Sequence, residues 1–500
     1  MLWTQRYLLQ KSVELPILRG VIEQGILWNN VMRRKILFFE LNEVPYRVMD
    51  EYCRNHPESF LARTLDKCGQ FETRTEDTKL SPWITWPTVH RGVLDTQHTI
   101  HYFGQHLERV DDQFPPIWKI LTDHGVRTGV FGSLHSYPVP RNLEHYAFFL
   151  PDTFAPSGES FPEQLATFQE LNLVMARRSA RNVSTAIPIK EAARFLANMP
   201  WLGLCAHTML ATAGQLLAER VDPWRRVRRR TYQAVLTFDV FMKQVQSTRP
   251  EFATFYTNHV ASAMHRYWAA AFPQDYDRLE FDAEWLSRFK HEIDFAMQWF
   301  DRFFERLVRF ADSSPDYSVW IATSMGQAAR QAVPMYTQLY FTDLRRFMST
   351  LGFGATQWER RPAMEPQVSV HITAEHADRF GALVRGMRIN GGPIDVKERE
   401  SGFFCISLGN PNLKGVVDSA LVDGREVPFS DLGMESVPIE DRANGSAQHV
   451  RDGLLMIYGA GAPKAPQKRP VLSTLEIAPS ILRNFRIDVP GYMASGAIEA

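Results

Sequence analysis

The chain predicts an α/β protein, a three-layer α/β/α sandwich around a mainly parallel central sheet. Three observations lead there. The run Ile36–Phe39 is continuously apolar, as a parallel strand buried on both faces is. Strand-like and helical stretches then follow one another in the order strand, helix, strand, which gives parallel pairing with helices on both faces. Finally, Trp285, Phe289, Ile293, Ala296, Phe300, Phe303, Leu307 and Phe310 recur at three and four residues, a single apolar stripe fit to cover a sheet.

Residues 1–33 read as a helical lead-in. Residues 34–157 form the first part of the core, with strands near 36–40 and 126–131, helical patterns from Tyr46 to Leu65, and the proline-rich loop Tyr137-Pro138-Val139-Pro140. Residues 158–249 are helical with few strand signals and read as an inserted cap. Residues 250–334 return to the core, with strands near 252–256 and 318–322. Residues 335–437 read as a small α+β insertion, with strand-like Gln367–Ile372 and Phe403–Leu408, a helix around Ala374–Gly386 and the turn Asn390-Gly391-Gly392 between them. Residues 438–500 supply the last core strand, near 453–458.

Composition excludes several classes. Basic and acidic residues balance at 56 each, so no whole-chain field favours nucleic acid or membrane. Hydrophobic content of 45% belongs to a packed globule, not to a disordered chain. The four cysteines, Cys53, Cys68, Cys205 and Cys405, lack metal-site or disulfide spacing and read as reduced thiols. The N-terminus lacks the pattern of a secretory signal, so the expected location is the cytoplasm. Met199–Ala218 is apolar but contains Pro200, His207, Thr208, Thr212 and Gln215, which suits a buried or surface-docking helix better than a spanning one. The basic run Trp224–Arg230 follows. The 199–230 region is therefore the expected place for a peripheral membrane or protein partner.

The stretch Ser81-Pro82-Trp83-Ile84-Thr85-Trp86-Pro87-Thr88-Val89-His90-Arg91-Gly92 reads as a strand-end loop turning into a helix. Free N–H groups and the helix dipole make such a start a phosphate site, and Thr85 is the candidate nucleophile, its hydroxyl held out to solvent. Taken with further blocks, the chain resembles the alkaline phosphatase superfamily, in its type I phosphodiesterase/nucleotide pyrophosphatase branch. The blocks are the strand Lys35–Leu41 with Asn42-Glu43, the Thr85 stretch, Pro116–Leu121 leading into Gly125–Gly132, Phe255–His259 with His265, Val319–Gly326, Gly445–His449 before Asp452–Gly459, and Glu476–Leu482.

That resemblance implies an alkaline-phosphatase-like sandwich in which two divalent ions activate a threonine that attacks phosphorus. The chain departs from the family's ligands. Asn42 and Asn258 stand for aspartates, and Ser324 and Met325 for an Asp-His pair. The ion beside Thr85 thereby loses nearly all its ligands. At the other position His259, His265 and His449 remain, with Asn42, Asn258 or Glu43 adding oxygen, so one zinc or manganese ion at most is expected. His90 and His101, with Ser324, are candidate phosphate binders at the mouth. The implied function is a phosphoester hydrolase or phosphotransferase with a single-metal or metal-free site, acting on a phosphorylated small molecule or nucleotide-like ligand. The alternative is a catalytically inactive relative that binds such a ligand, or a partner protein, in the same cleft.

Overall fold

The structure, a computed structural model, describes residues 34–178, 199–363, 366–408, 412–413, 417–459, 462 and 469–493. The expected lead-in 1–33 lies outside them, as does part of the 158–249 stretch.

Eight strands form the central sheet: β1 (Lys35–Leu41), β2 (Gly69–Arg74), β3 (Thr128–Phe131), β4 (Phe148–Leu150), β5 (Phe252–Thr257), β6 (Tyr317–Ala322), β7 (Asp452–Tyr458) and β8 (Val471–Ser473). Their order is β8-β2-β7-β6-β1-β5-β3-β4. β1 sits centrally, parallel to β5 and β6, with Phe39 level with both Phe255 and Ile321. β7 is the one reversed strand, antiparallel to β2 and β6. All five expected strands are present; β2, β4 and β8 are additional.

The two faces of β1 show why the sheet is a middle layer. Leu37, Phe39 and Leu41 join one apolar cluster, and Ile36 and Phe38 the other. The first face is covered by α1 (Tyr46–Asn55), α4 (Arg229–Thr248), α5 (His259–Ala271) and α6 (Glu292–Ser313); the second by α2 (Pro82–Arg91) and α7 (Ile477–Asn484). The aromatic stripe expected as one helix is divided between Ala283–Phe289 and α6. Phe238 of α4 stacks on Phe303 of α6, centroids 4.4 Å apart, and meets Phe255 edge-on. The last helix of the 158–249 stretch thus belongs to the layer that covers the sheet. Before it, α3 (Ala206–Val221) follows the short turn Met199–Leu202.

Helix α2 begins with Pro82 at its first turn and stops at Gly92, whose φ of 63° gives the left-handed cap that glycine adopts without strain. Pro87 lies inside it and cannot donate to the Trp83 carbonyl. His135 Nε2 meets that carbonyl instead, at 2.8 Å.

A separate apolar cluster between Leu339 and Met434 forms a subdomain of two four-stranded sheets and the helix Ala374–Gly386. Its chain enters through Thr337–Phe341 and leaves through Met434–Pro438, paired antiparallel as a stem. It touches the core where Arg361 Nη2 donates to the Gly104 carbonyl at 2.5 Å and the Tyr102 hydroxyl donates to Glu400.

Candidate functional site

In an open parallel sheet the ends of neighbouring strands leave a crevice where polar side chains converge. Here Asn42 and Glu43 follow β1, Asn258 follows β5 and Ser324 follows β6. His449 comes from the short strand Ala447–Val450, paired with Gly326–Ala329 so that His449 lies level with Gln327. His265 comes from the second turn of α5, and Thr85 from α2.

Glu43 is the centre. Its carboxylate is buried, and its backbone adopts φ of 61°, a left-handed conformation that costs a non-glycine residue about 1–2 kcal/mol. His265 Nε2 lies 2.8 Å from Glu43 Oε2 and His449 Nε2 3.3 Å from the same oxygen, the latter outside hydrogen-bonding geometry. The other ring nitrogens face carbonyls, His449 Nδ1 at 3.0 Å from Leu80 O and His265 Nδ1 at 3.4 Å from Ala447 O. A carbonyl can only accept, so each Nδ1 carries the proton and each Nε2 of the neutral ring presents a lone pair toward Glu43. Gln327 Nε2 donates to Glu43 Oε2 and Asn42 Nδ2 to Oε1, at 2.8 Å for the second.

Two nitrogen lone pairs and a carboxylate in contact are in balance only with a shared proton or a cation between them. Burial by itself raises the Glu43 carboxyl pKa, but His265 and His449 outweigh it and hold it far below the carboxylate range. Burial likewise opposes charging of His449, and Glu43 outweighs it and raises that imidazole. The three donor atoms lie within 4.8 Å of one another. Two imidazoles and one carboxylate, the imidazoles oriented by carbonyls, form a donor set suited to zinc or manganese with an open position. The residues fit one ion.

The position beside Thr85 does not fit one. Asn42 Nδ2 donates to Asn258 Oδ1 at 2.8 Å, and Asn42 Oδ1 accepts from Trp86 Nε1 at 2.9 Å, so both amide oxygens are engaged. Thr85 Oγ1 bonds to Ser324 Oγ at 2.8 Å and to Ser81 O at 3.1 Å. Met325, buried, has no affinity for hard ions.

Several expectations need correction. Thr85 does not hold its hydroxyl out to solvent, because it lies in the second turn of α2 with no exposed surface. His259 does not join His265 and His449. Six residues before His265 on one helix, it points about 120° away. Its Nδ1 lies 2.7 Å from Thr257 Oγ1 and its ring against Phe303, and burial lowers its pKa to about 3. His90 is buried under the crevice, Nε2 2.9 Å from Glu40 Oε1 and the ring against Trp86 and Trp118. His101 sits half-buried in the loop after α2, beside Lys79, Asp95 and Arg399, and burial lowers its pKa. Asn258 is exposed at the start of α5, its oxygen taken by Asn42.

No family model matches the chain, and no curated protein matches it. Solved structures similar to it include murine ectonucleotide pyrophosphatase/phosphodiesterase 5, at 9% identity over 91% of this chain and 96% of that one, with a TM-score of 0.37. Phosphonoacetate hydrolase from Sinorhizobium meliloti 1021, in complex with phosphonoformate, is similar at 11% identity, the same two coverages of 91% and 96%, and a TM-score of 0.39. Human ectonucleotide pyrophosphatase/phosphodiesterase 5 gives 9% and 0.35. Identities and scores this low leave the chemistry to the chain's own residues.

Proposed function

We propose that the chain is a phosphoester hydrolase of the phosphodiesterase type, working with one divalent ion, zinc or manganese, held by Glu43, His265 and His449. The observation that carries this reading is the paired orientation of the imidazoles, each with Nδ1 on a backbone carbonyl and Nε2 on the same buried carboxylate oxygen. When bound, the ion would supply Lewis acidity toward a phosphoryl oxygen. Glu43 and the two imidazoles hold the charge in place, and Gln327 and Asn42 fix the carboxylate. Asn258 stands at the start of α5, where the N–H groups of a helix favour an anionic ligand. The substrate class is a phosphorylated small molecule. The four cysteines are all free thiols, which suits the cytoplasm.

One observation favours a second reading. Thr85 Oγ1 is buried and bonded only to a hydroxyl and a carbonyl among the described residues, and neither can take its proton as a base. A chain whose threonine cannot attack would bind its phosphorylated ligand without turnover. Metal analysis combined with hydrolysis of bis(p-nitrophenyl) phosphate decides between them. The hydrolase reading requires about one ion per chain and activity lost both on chelation and in His265→Ala. Metal-loaded protein inert toward mono- and diesters would refute it and leave the binding protein. Thr85→Ala that retains activity would remove the threonine from the chemistry.

A further inference from the structure

Helix α3 is turned inside out. Three of its polar residues face the protein: Thr208, Gln215 and Glu219 are buried, while His207 and Arg220 are exposed. Gln215 Nε2 donates to Glu219 Oε1 at 2.9 Å and to the Arg225 carbonyl at 2.8 Å, while Glu219 pairs with Arg229 at 2.6 Å. Asp239 anchors the helix start by accepting from the Cys205 N–H at 2.9 Å. Polar bonds therefore hold this helix to the body, and its apolar side is left outward. Leu210, Leu217 and Val221 are 74%, 64% and 81% exposed, and Trp201 on the preceding turn is 74% exposed. Spacings of seven and four place the three aliphatic residues on one line, with exposed Ala213 and Gly214 between them. Single exposed leucines are ordinary, but a continuous stripe of large apolar side chains marks a surface that meets something apolar.

Charge indicates what. Between Met199 and Val221 the only acidic residue is Glu219, which is buried on Arg229. Cations without a carboxylate partner among the described residues stand at both ends of the stripe. Arg220 is exposed at its C-terminal end; at the other, Arg302 lies beside His207, and Lys243 lies against Gly203. The stripe is convex and aliphatic, with a tryptophan at one end and cations around it. A protein partner would be expected to meet a pocket or a polar rim with donors and acceptors to pair. The stripe matches the pattern of a helix lying in a bilayer surface, aliphatic residues among the acyl chains and cations at the headgroups. No described helix is long and apolar enough to cross a membrane.

We infer that α3 and Trp201 form a docking surface for an anionic lipid bilayer. The binding is peripheral, driven jointly by the apolar stripe and by Arg220, Lys243 and Arg302. The test is co-sedimentation of the full chain with vesicles of phosphatidylcholine, with and without phosphatidylglycerol. Binding to the anionic vesicles should weaken as salt is added. The double variant Leu210→Glu/Leu217→Glu should weaken it at least about tenfold, and Arg220→Glu about fivefold. Both variants change only exposed side chains, so circular dichroism should be unchanged. Equal binding to neutral and anionic vesicles, or undiminished binding by the Leu210→Glu/Leu217→Glu protein, would overturn the inference. So would the absence of vesicle binding in a chain that instead forms dimers lost in that double variant, which would assign the stripe to a second copy.

Discussion

Asn42 and Asn258 face each other across the ends of two neighbouring parallel strands, the Nδ2 of the first 2.8 Å from the Oδ1 of the second. Two carboxylates at that distance would repel unless a cation lay between them. Two amides hydrogen-bond instead, so this part of the crevice closes without an ion. The group that calls for a shared proton or a cation lies at Glu43, one residue further along the chain.

Asn42→Asp removes the donor that bridges Glu43 and Asn258 and places a second buried charge beside the first. Urea denaturation of ion-free protein should show a loss of about 1–3 kcal/mol. Asn258→Asp keeps an acceptor for Asn42 at a more exposed position and should cost less than half as much.

The Glu43 and His449 pair sets a pH dependence. His449 has its pKa raised above 6.5 by Glu43, so its contribution to stability is full below that value and is lost as pH rises through the raised one. Glu43 has its pKa lowered from 4.5, so its contribution is present above that value and is lost as pH falls toward the lowered one. Ion-free protein should therefore gain most from the pair between about pH 4.5 and 6.5. Zinc affinity should run the other way, rising up to about tenfold per pH unit while His449 still has a proton to release. Competition titrations across that range measure it.

Elemental analysis separates the histidines. His265→Ala and His449→Ala should each remove the ion, weakening binding at least about 100-fold. His259→Ala should leave metal content unchanged and lower stability, because it removes a ring packed against Phe303. Metal loss in His259→Ala alone would contradict the geometry.

Phe238→Ala tests whether α4 belongs to the layer on the sheet. Its ring stacks on Phe303 and touches Phe39 and Phe255, so truncation should cost about 3–5 kcal/mol in urea denaturation. A loss under about 1 kcal/mol, as at an exposed position, would place the helix outside the core.

Much of the fold was legible because buried parallel strands announce themselves: β1, β5 and β6 are apolar runs ending in polar residues at the crevice. β4 and β8 were not, since three residues carry no periodicity, and nothing in Asp452–Tyr458 signals that it runs backward. In the site, His265 and His449 were readable as imidazoles following core elements, and Glu43 as an oxygen beside them. His259 misled because adjacency to a strand end looks like a crevice position. Once α5 starts at that residue, six positions on a helix turn it away from His265. The sequence pattern could not show that Thr85 and His90 are sealed, because burial there depends on the partners Ser324, Glu40 and Trp118, distant in the chain.

The stem of the small subdomain has an evolutionary meaning. Because Thr337–Phe341 and Met434–Pro438 run side by side, the Ile439 N–H reaches the Tyr336 carbonyl at 2.8 Å, and the core chain arrives and departs at one point. A unit attached that way can be gained, lost or exchanged between genes by a single in-frame event, with the strands that carry Glu43 and Asn258 untouched. The loop bearing Tyr102 and Gly104, which bonds to Glu400 and Arg361, would register the change, so lineages that shed or swap the unit should show compensating substitutions there.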